Sequence, residues 1–164
     1  MSGQLYHTPA EIVTQLMIDL GLADGPETTN GLTGWTVFPL QFREDPEQAL
    51  QVKDTAGRLH GRSQITGEAG EHYGIQVLAR SSQDVSTPYK KIKAVLAFFD
   101  TQVRRESVTL FDQDNFMNRT YRVNAITRTS TAVPAGNDGR RFFYSGNALA
   151  SIELASSMLT GTGS

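Results

Sequence analysis

The sequence predicts an α+β domain: a mostly antiparallel β-sheet with two α-helices packed on one face, in the order α-β-β-β-α-β-β-β, with a long β-hairpin arm or loop. Three observations lead there. Two segments carry apolar residues at helical spacing, several shorter segments alternate apolar and polar residues, and one strand-to-strand connection runs through a helix. Two amphipathic helices need one sheet face to cover, which places them on the same side. The chain has 164 residues, enough for one core, and is read as a single domain over 1–155 with a small, polar, flexible tail over 156–164.

The first element is a helix. Thr8-Pro9-Ala10-Glu11 supplies an N-cap, a first-turn proline and a glutamate placed to bond back to the cap. Val13, Leu16, Met17 and Leu20 follow on one face, and Gly21 offers the left-handed residue that ends it. Residues 23–34 read as a polar, glycine-rich loop. Residues 35–42 look extended, with Phe38, Leu40 and Phe42 on one face, but Pro39 cannot donate to a ladder and marks an edge or irregular strand. Residues 49–53 form the next strand, with Leu50 and Val52 facing in.

Residues 54–70 are polar, hold Gly57, Gly61, Gly67 and Gly70, and carry Arg58, His60 and Arg62. They read as a hairpin arm or mobile loop that orders on contact with a partner. Tyr73, Ile75, Val77 and Ala79 then alternate with polar neighbours as a strand. Thr87-Pro88 repeats the cap-plus-proline signal. Ile92, Val95, Leu96, Phe99 and Val103 form the clearest helical stripe in the chain.

Three strands complete the chain. Val108 and Leu110 mark a short one, residues 112–118 are turn-like, and Tyr121, Val123, Ala125 and Thr127 line the inner face of the next. Residues 133–140 read as a loop with Pro134, Gly136 and Gly139. Phe142, Tyr144, Ala148, Ala150, Ile152 and Leu154 share a face, with Gly146 placed for a bulge or bend. Arg80, Arg122, Asn124 and Arg128 are expected on the sheet's other, more polar face.

Composition limits function. With a net charge of −2, bulk electrostatics do not hold nucleic acid. The absence of cysteine excludes disulfides and thiolate zinc sites. No basic start leads into an apolar run, and no apolar stretch approaches the roughly 20 residues of a membrane span. A soluble cytoplasmic chain without a membrane partner is expected.

No catalytic, metal or cofactor-binding constellation stands out. His7, His60 and His72 are scattered and read as surface or rim histidines. Asp112-Gln113-Asp114-Asn115 has the start of a calcium loop. Met117 stands where that loop needs glycine and Val123 where it needs glutamate, so it reads as a turn. Glu44 and Asp45 read as solvated turn carboxylates. No phosphate-binding or nucleophile-elbow motif occurs. Arginines outnumber lysines. Their planar forks suit solvated sheet-face charge, subunit pairing or non-specific nucleic-acid contact.

One ordering of short motifs carries a likeness. Gly74-Ile75-Gln76-Val77-Leu78-Ala79-Arg80 is followed by the capped helix with Tyr89, Ile92 and Leu96. Then come Tyr121-Arg122-Val123-Asn124-Ala125-Ile126, Gly136-Asn137-Asp138-Gly139-Arg140 and Phe142-Phe143-Tyr144-Ser145-Gly146-Asn147. Over residues 72–155 this resembles the tail terminator proteins of long-tailed bacteriophages, including the group known as phage minor capsid proteins. The resemblance implies a virion subunit assembled in the host cytoplasm into a homo-oligomeric, hexameric ring. Such a ring caps the tail tube protein, ends its polymerisation, meets the head-completion or neck protein, and leaves a channel through which DNA passes without specific binding. It implies no cofactor and no catalytic residue.

By position, Arg80, Asp138, Arg140 and Asn147 are the motif's polar residues. Asp138 and Arg140 would bridge subunits or fix the turn. With Arg58, His60, Arg62, Arg122 and Arg128 they make up the candidate interface. The alternatives are another neck or head–tail connector protein, or a small cytosolic enzyme or ligand-binding domain.

Overall fold

Helix α1 (Pro9–Asp19) starts where local chemistry dictates. The Thr8 hydroxyl accepts the Glu11 N–H at 3.1 Å, and the Glu11 carboxylate accepts the Thr8 N–H at 3.1 Å, a complete capping box. At the other end Leu22 N–H bonds to Met17 O and Gly21 N–H to Ile18 O, with Gly21 at φ 76°, a Schellman closure that only a residue tolerant of the left-handed region makes cheaply. The helix buries Ala10, Ile12, Val13, Leu16 and Met17. Leu20, expected on that stripe, lies past the last turn and is partly exposed. The structure, a computed structural model, describes residues 5–27, 31–44, 46–62, 69–82 and 84–159, with backbone alone for 56–62, 69–71 and 156–159.

Among the described residues there follow β1 (Thr36–Pro39), β2 (Ala49–Arg62), β3 (Ala69–Ser81), α2 (Ser86–Gln102), β4 (Glu106–Asp112), β5 (Met117–Arg128), β6 (Val133–Asn137) and β7 (Phe142–Leu159). They form one seven-stranded sheet in the order β1-β2-β3-β7-β5-β4, with β6 also on β7. Every pairing is antiparallel except β1 with β2. This is the expected α+β fold. It holds one short strand, β6, where a loop was read, because residues 133–137 continue the line of β5 beside β7 after a four-residue break. β7 runs through Leu159, paired to Met117, so the strand extends into the segment read as a tail.

The sheet curls around its helices. Helix α2 lies on β3, β7 and β5 in the middle of the sheet, whereas α1 touches β1 and β2 near one end and β4 at the other. One core joins Ile12, Leu16 and Met17 of α1 and Ile92, Val95, Leu96 and Phe99 of α2 to Leu50, Val52, Ile75, Val77, Tyr121 and Val123 of the sheet. Each large aliphatic or aromatic side chain so buried contributes about 1.5–3 kcal/mol.

Several local expectations need correction. β1 ends at Pro39 because Leu40 turns into the left-handed region at φ 69°, so Leu40 and Phe42 do not continue the strand. Pro39 costs no bond there, since β1 is the edge strand of the path. Thr87 does not cap α2: Val85 stands at the N-cap, and Asp84 just before it holds the first turn, its carboxylate accepting the Thr87 N–H at 2.8 Å and the Ser86 and Thr87 hydroxyls. A register shift between Val123 and Ala125 reverses the facing of β5, so Ile126 is buried and Ala125 and Thr127 turn outward.

Gly146 makes no bulge; it pairs regularly with Val77. Its role is close approach: a Cβ there would lie 2.9 Å from Leu96 Cδ1 and 3.1 Å from Ile92 Cγ2, so the glycine sets how near α2 sits to β7.

The 54–70 segment is a hairpin over its described part. β2 and β3 pair from Ala49↔Arg80 out to Arg62↔Ala69. Its backbone is thus laddered within one chain, with register shifts between Thr55 and Arg58 and between Leu59 and Arg62; residues 63–68 lie outside the described set. β3 pairs with β7 only from Tyr73 onward, and β1 covers only Ala49–Val52 of β2. The outer part of the hairpin therefore leaves the sheet as an arm.

Candidate functional site

The polar residues expected to act together do not form one site. Arg80, Asp138 and Arg140 meet in one cluster beneath residues 40–48, the segment linking β1 to β2. Its centre is Arg141, a neighbour of Arg140 that sequence reasoning passed over. The Arg141 guanidinium makes a fork on Glu47, Nε to Oε2 at 2.8 Å and Nη2 to Oε1 at 2.7 Å, and donates to Glu44 O at 2.8 Å. It is buried while carrying that pair, the two-point geometry in which arginine excels.

Arg80 completes the clamp from β3. Buried at 3 % exposure, it donates to the carbonyls of Glu44, Pro46 and Glu47 and lies 4.5 Å over the Phe42 ring. Its charge is met by three backbone dipoles and an aromatic face, with the Glu47 carboxylate nearby. Burial, and then the like charge of Arg141, push its pKa down. Asp138 fixes the β6–β7 turn by accepting the N–H groups of Arg140 at 3.2 Å and Arg141 at 2.7 Å, and these bonds hold its carboxyl below the usual range. Arg140 reaches Glu44 at 3.3 Å on the exposed rim. So Asp138 fixes the turn, and Arg140 pairs within the chain.

The clamp has no proton chemistry near neutrality. The Arg141 hydrogen bond holds Glu47 at about 2, against an ordinary 4.5, and Glu47 in turn raises Arg141 further above its already high value. Both groups stay charged at neutral pH, which suits them to fastening and not to general acid–base work. The sequence signal for Arg141 and Glu47 was slight: a second arginine after the turn, and a glutamate one residue beyond the Asp45-Pro46 break.

The other candidates lie apart. Arg122 pairs with Glu153 at 3.2 Å across β5 and β7, both half-exposed. Arg128 is on the helix side of the sheet, not the polar side, because of the β5 register shift; it pairs with Asp100 of α2 at 3.1 Å. Arg58, His60 and Arg62 lie on the outer part of β2 in the arm, and their side chains fall outside the described set. The Asn147 N–H donates to the Ser130 hydroxyl at 2.9 Å, opposite the break between β5 and β6.

Among the described residues, two of the open surfaces carry apolar side chains beside charged ones. The first surrounds the β4–β5 turn, residues 113–116. Phe111 and Phe116 stack edge-on at 5.4 Å, with Phe116 68 % exposed. Asp112 beneath is buried and anchors the turn: it pairs with Arg119 at 3.1 Å and accepts from Asp114 N, Asn115 N and Asn115 Nδ2. Bonds from Asn115 and then Arg119 keep its carboxyl below the usual range. The segment is a turn, as expected, and Arg119 and Asn115 take up the Asp112 carboxylate. The second surface is a groove of about 440 Å³ between α2 and the β5–β6 break, lined by Tyr89, Lys93, Leu96, Ala97, Arg128 and Ala132.

Among the described residues no group of three or more His, Asp or Glu is placed to hold a metal ion, and no helix is long and apolar enough to cross a membrane. Compared with protein-family models and with curated proteins, the chain matches neither a family nor an individual relative.

Proposed function

We propose that the chain is a structural assembly subunit of the tail terminator kind, one that works by meeting copies of itself and neighbouring virion proteins. In that role it forms a hexameric ring that caps the tail tube, ends its polymerisation and joins the tail to the neck while DNA passes through. The observation that carries this reading is the order of motifs from residue 74 to residue 147 on a single curled sheet.

The sheet's unpaired backbone supports it. The hairpin arm extends past both of its neighbouring strands, and β4 ends the sheet path at the other side. Exposed edges of this kind pair with other chains unless something covers them. A ring closed by head-to-tail contacts covers them without leaving a filament end.

Electron microscopy and light scattering of the purified chain, alone and with a tail tube protein, test the proposal. Closed rings with six-fold symmetry are expected. A strict monomer at high concentration that forms no ring with the tube protein present would overturn it. Co-purification with a portal-side protein in place of the tube protein would instead point to a neck connector.

A further inference from the structure

Phe116 occupies a position that costs the chain twice. Its backbone sits at φ 51°, a region L-residues enter at about 1–2 kcal/mol, and its ring is largely in solvent. Glycine or asparagine is the ordinary choice at such a turn position. A large apolar ring sits there against local preference, touching Phe111 edge-on and otherwise open to solvent, which points to an occupant for the rest of the ring outside its own chain.

The groove beside α2 has the complementary character. Its floor is Leu96, Ala97 and Ala132, and its rim carries cations. Arg128 is taken by Asp100, whereas among the described residues Lys93 has no carboxylate partner and leans on the Tyr89 ring, 5.4 Å from its centroid. At the turn the charges are opposite. Asp112 is taken by Arg119, and among the described residues the Asp114 carboxylate is unpaired.

Turn and groove cannot meet within one molecule. The turn precedes Met117 at the start of β5, and Arg128 ends that strand. Eleven residues at about 3.3 Å each separate them by roughly 35 Å along the strand.

We infer that the β4–β5 turn of one copy, led by Phe116 and Asp114, docks into the α2 groove of a second copy, where Phe116 meets Leu96, Ala97 and Ala132, and Asp114 meets Lys93. The contact joins two different patches, so it propagates head to tail and closes into a ring where the rotation permits. This rests on the assembly reading above and assigns it a specific joint.

The chain has no cysteine, so a cross-link can be placed freely. Gln113→Cys and Ala97→Cys put thiols on exposed positions beside the turn and in the groove without removing Phe116. The full-length double variant, oxidised and run without reductant, should give a ladder of covalent multimers, and each single variant at most a dimer. Asp114→Lys should weaken self-association about tenfold or more, and adding Lys93→Asp should restore it. Multimers in light scattering without a ladder, and without charge-swap rescue, overturn this joint and leave the assembly reading standing. A monomer with no ladder at any concentration, with the tail tube protein present as well as alone, overturns both.

Discussion

The His7 imidazole lies 2.6 Å, through Nδ1, from the hydroxyl of Tyr121, 114 residues away, and the two rings meet edge to face. His7 Nε2 is 3.1 Å from the Phe111 carbonyl, which can only accept, so Nε2 carries the proton and Nδ1 accepts the Tyr121 hydroxyl hydrogen. That hydroxyl also accepts the Tyr6 N–H at 3.2 Å. One buried phenol thus fastens the start of α1 to β5 while the histidine holds the end of β4. On the opposite side the Ala10 N–H donates to Asp54 of β2 at 2.9 Å.

Tyr121→Phe keeps the ring and removes the hydroxyl. It should lower stability by about 1–2 kcal/mol, because the Tyr6 and His7 partners lose their bonds while the core stays filled. The midpoint of thermal unfolding should fall by about 2–4 °C per kcal/mol. Adding His7→Ala should then cost less than His7→Ala in the natural chain, since the Phe111 bond and the ring contact are all that is left to lose. Strict additivity of the two changes by calorimetry would show that the bond does not couple them.

Arg141→Ala should loosen the residues 43–48 strap without unfolding the sheet. Deuterium exchange at the Glu47 and Gln48 amides should quicken while the amides of Val77 and Tyr121 keep their protection. An unchanged strap would mean that Arg80 alone holds it.

Acid should release the same strap. The Glu47 carboxyl titrates at about 2 in the folded chain and near 4.5 when unfolded, so its stabilising effect is present above 4.5 and is lost as pH falls from there towards about 2. Asp112 and Asp138, also lowered, act in the same direction. Asp54, raised by burial, acts in the opposite sense, since its folded form takes up a proton more readily. The measurement is the unfolding midpoint against pH for the natural chain and for Glu47→Gln. The difference between the curves should shrink as pH falls through that window; parallel curves would remove Glu47 from the account.

Much of the fold could be read from residue order, and the failures share a cause. The capping box at Thr8 and Glu11, the Ile92–Phe99 stripe and the edge status of Pro39 are local statements, written in neighbouring residues. The facing of Ile126 and Arg128 depends on a register shift against β7, which no spacing within β5 reveals. The Arg141–Glu47 fork joins residues 94 apart in sequence. Its arginine is adjacent to one that was singled out, and only the fold shows which of the two turns inward.

Gly146→Ala should cost about 1–3 kcal/mol by crowding Leu96 and Ile92. In a Leu96→Ala background the added methyl should cost clearly less, because both Leu96 methyls are then gone and Ile92 Cγ2 at 3.1 Å is the close atom that remains. A double-mutant cycle by chemical denaturation measures this. An equal cost in both backgrounds would place the strain in the backbone instead.

Phe116→Gly should raise the stability of the isolated chain by about 1 kcal/mol, through relief of the left-handed backbone. Urea midpoints compare the two. A fall in stability would mean that the edge-on packing of Phe116 on Phe111 outweighs the backbone strain.

β7 pairs with β3, β5 and β6, and its partners across those ladders begin at Tyr73 and end at Asn137. The middle of the sheet therefore stays unzipped until the last long strand leaves the ribosome. Before then the nascent chain holds the β1–β2–β3 and β4–β5 pairings and their helices, each with a bare flank. Synthesis itself thus delays the moment at which the α2 groove and the β4–β5 turn exist together on one closed sheet until β7 has emerged.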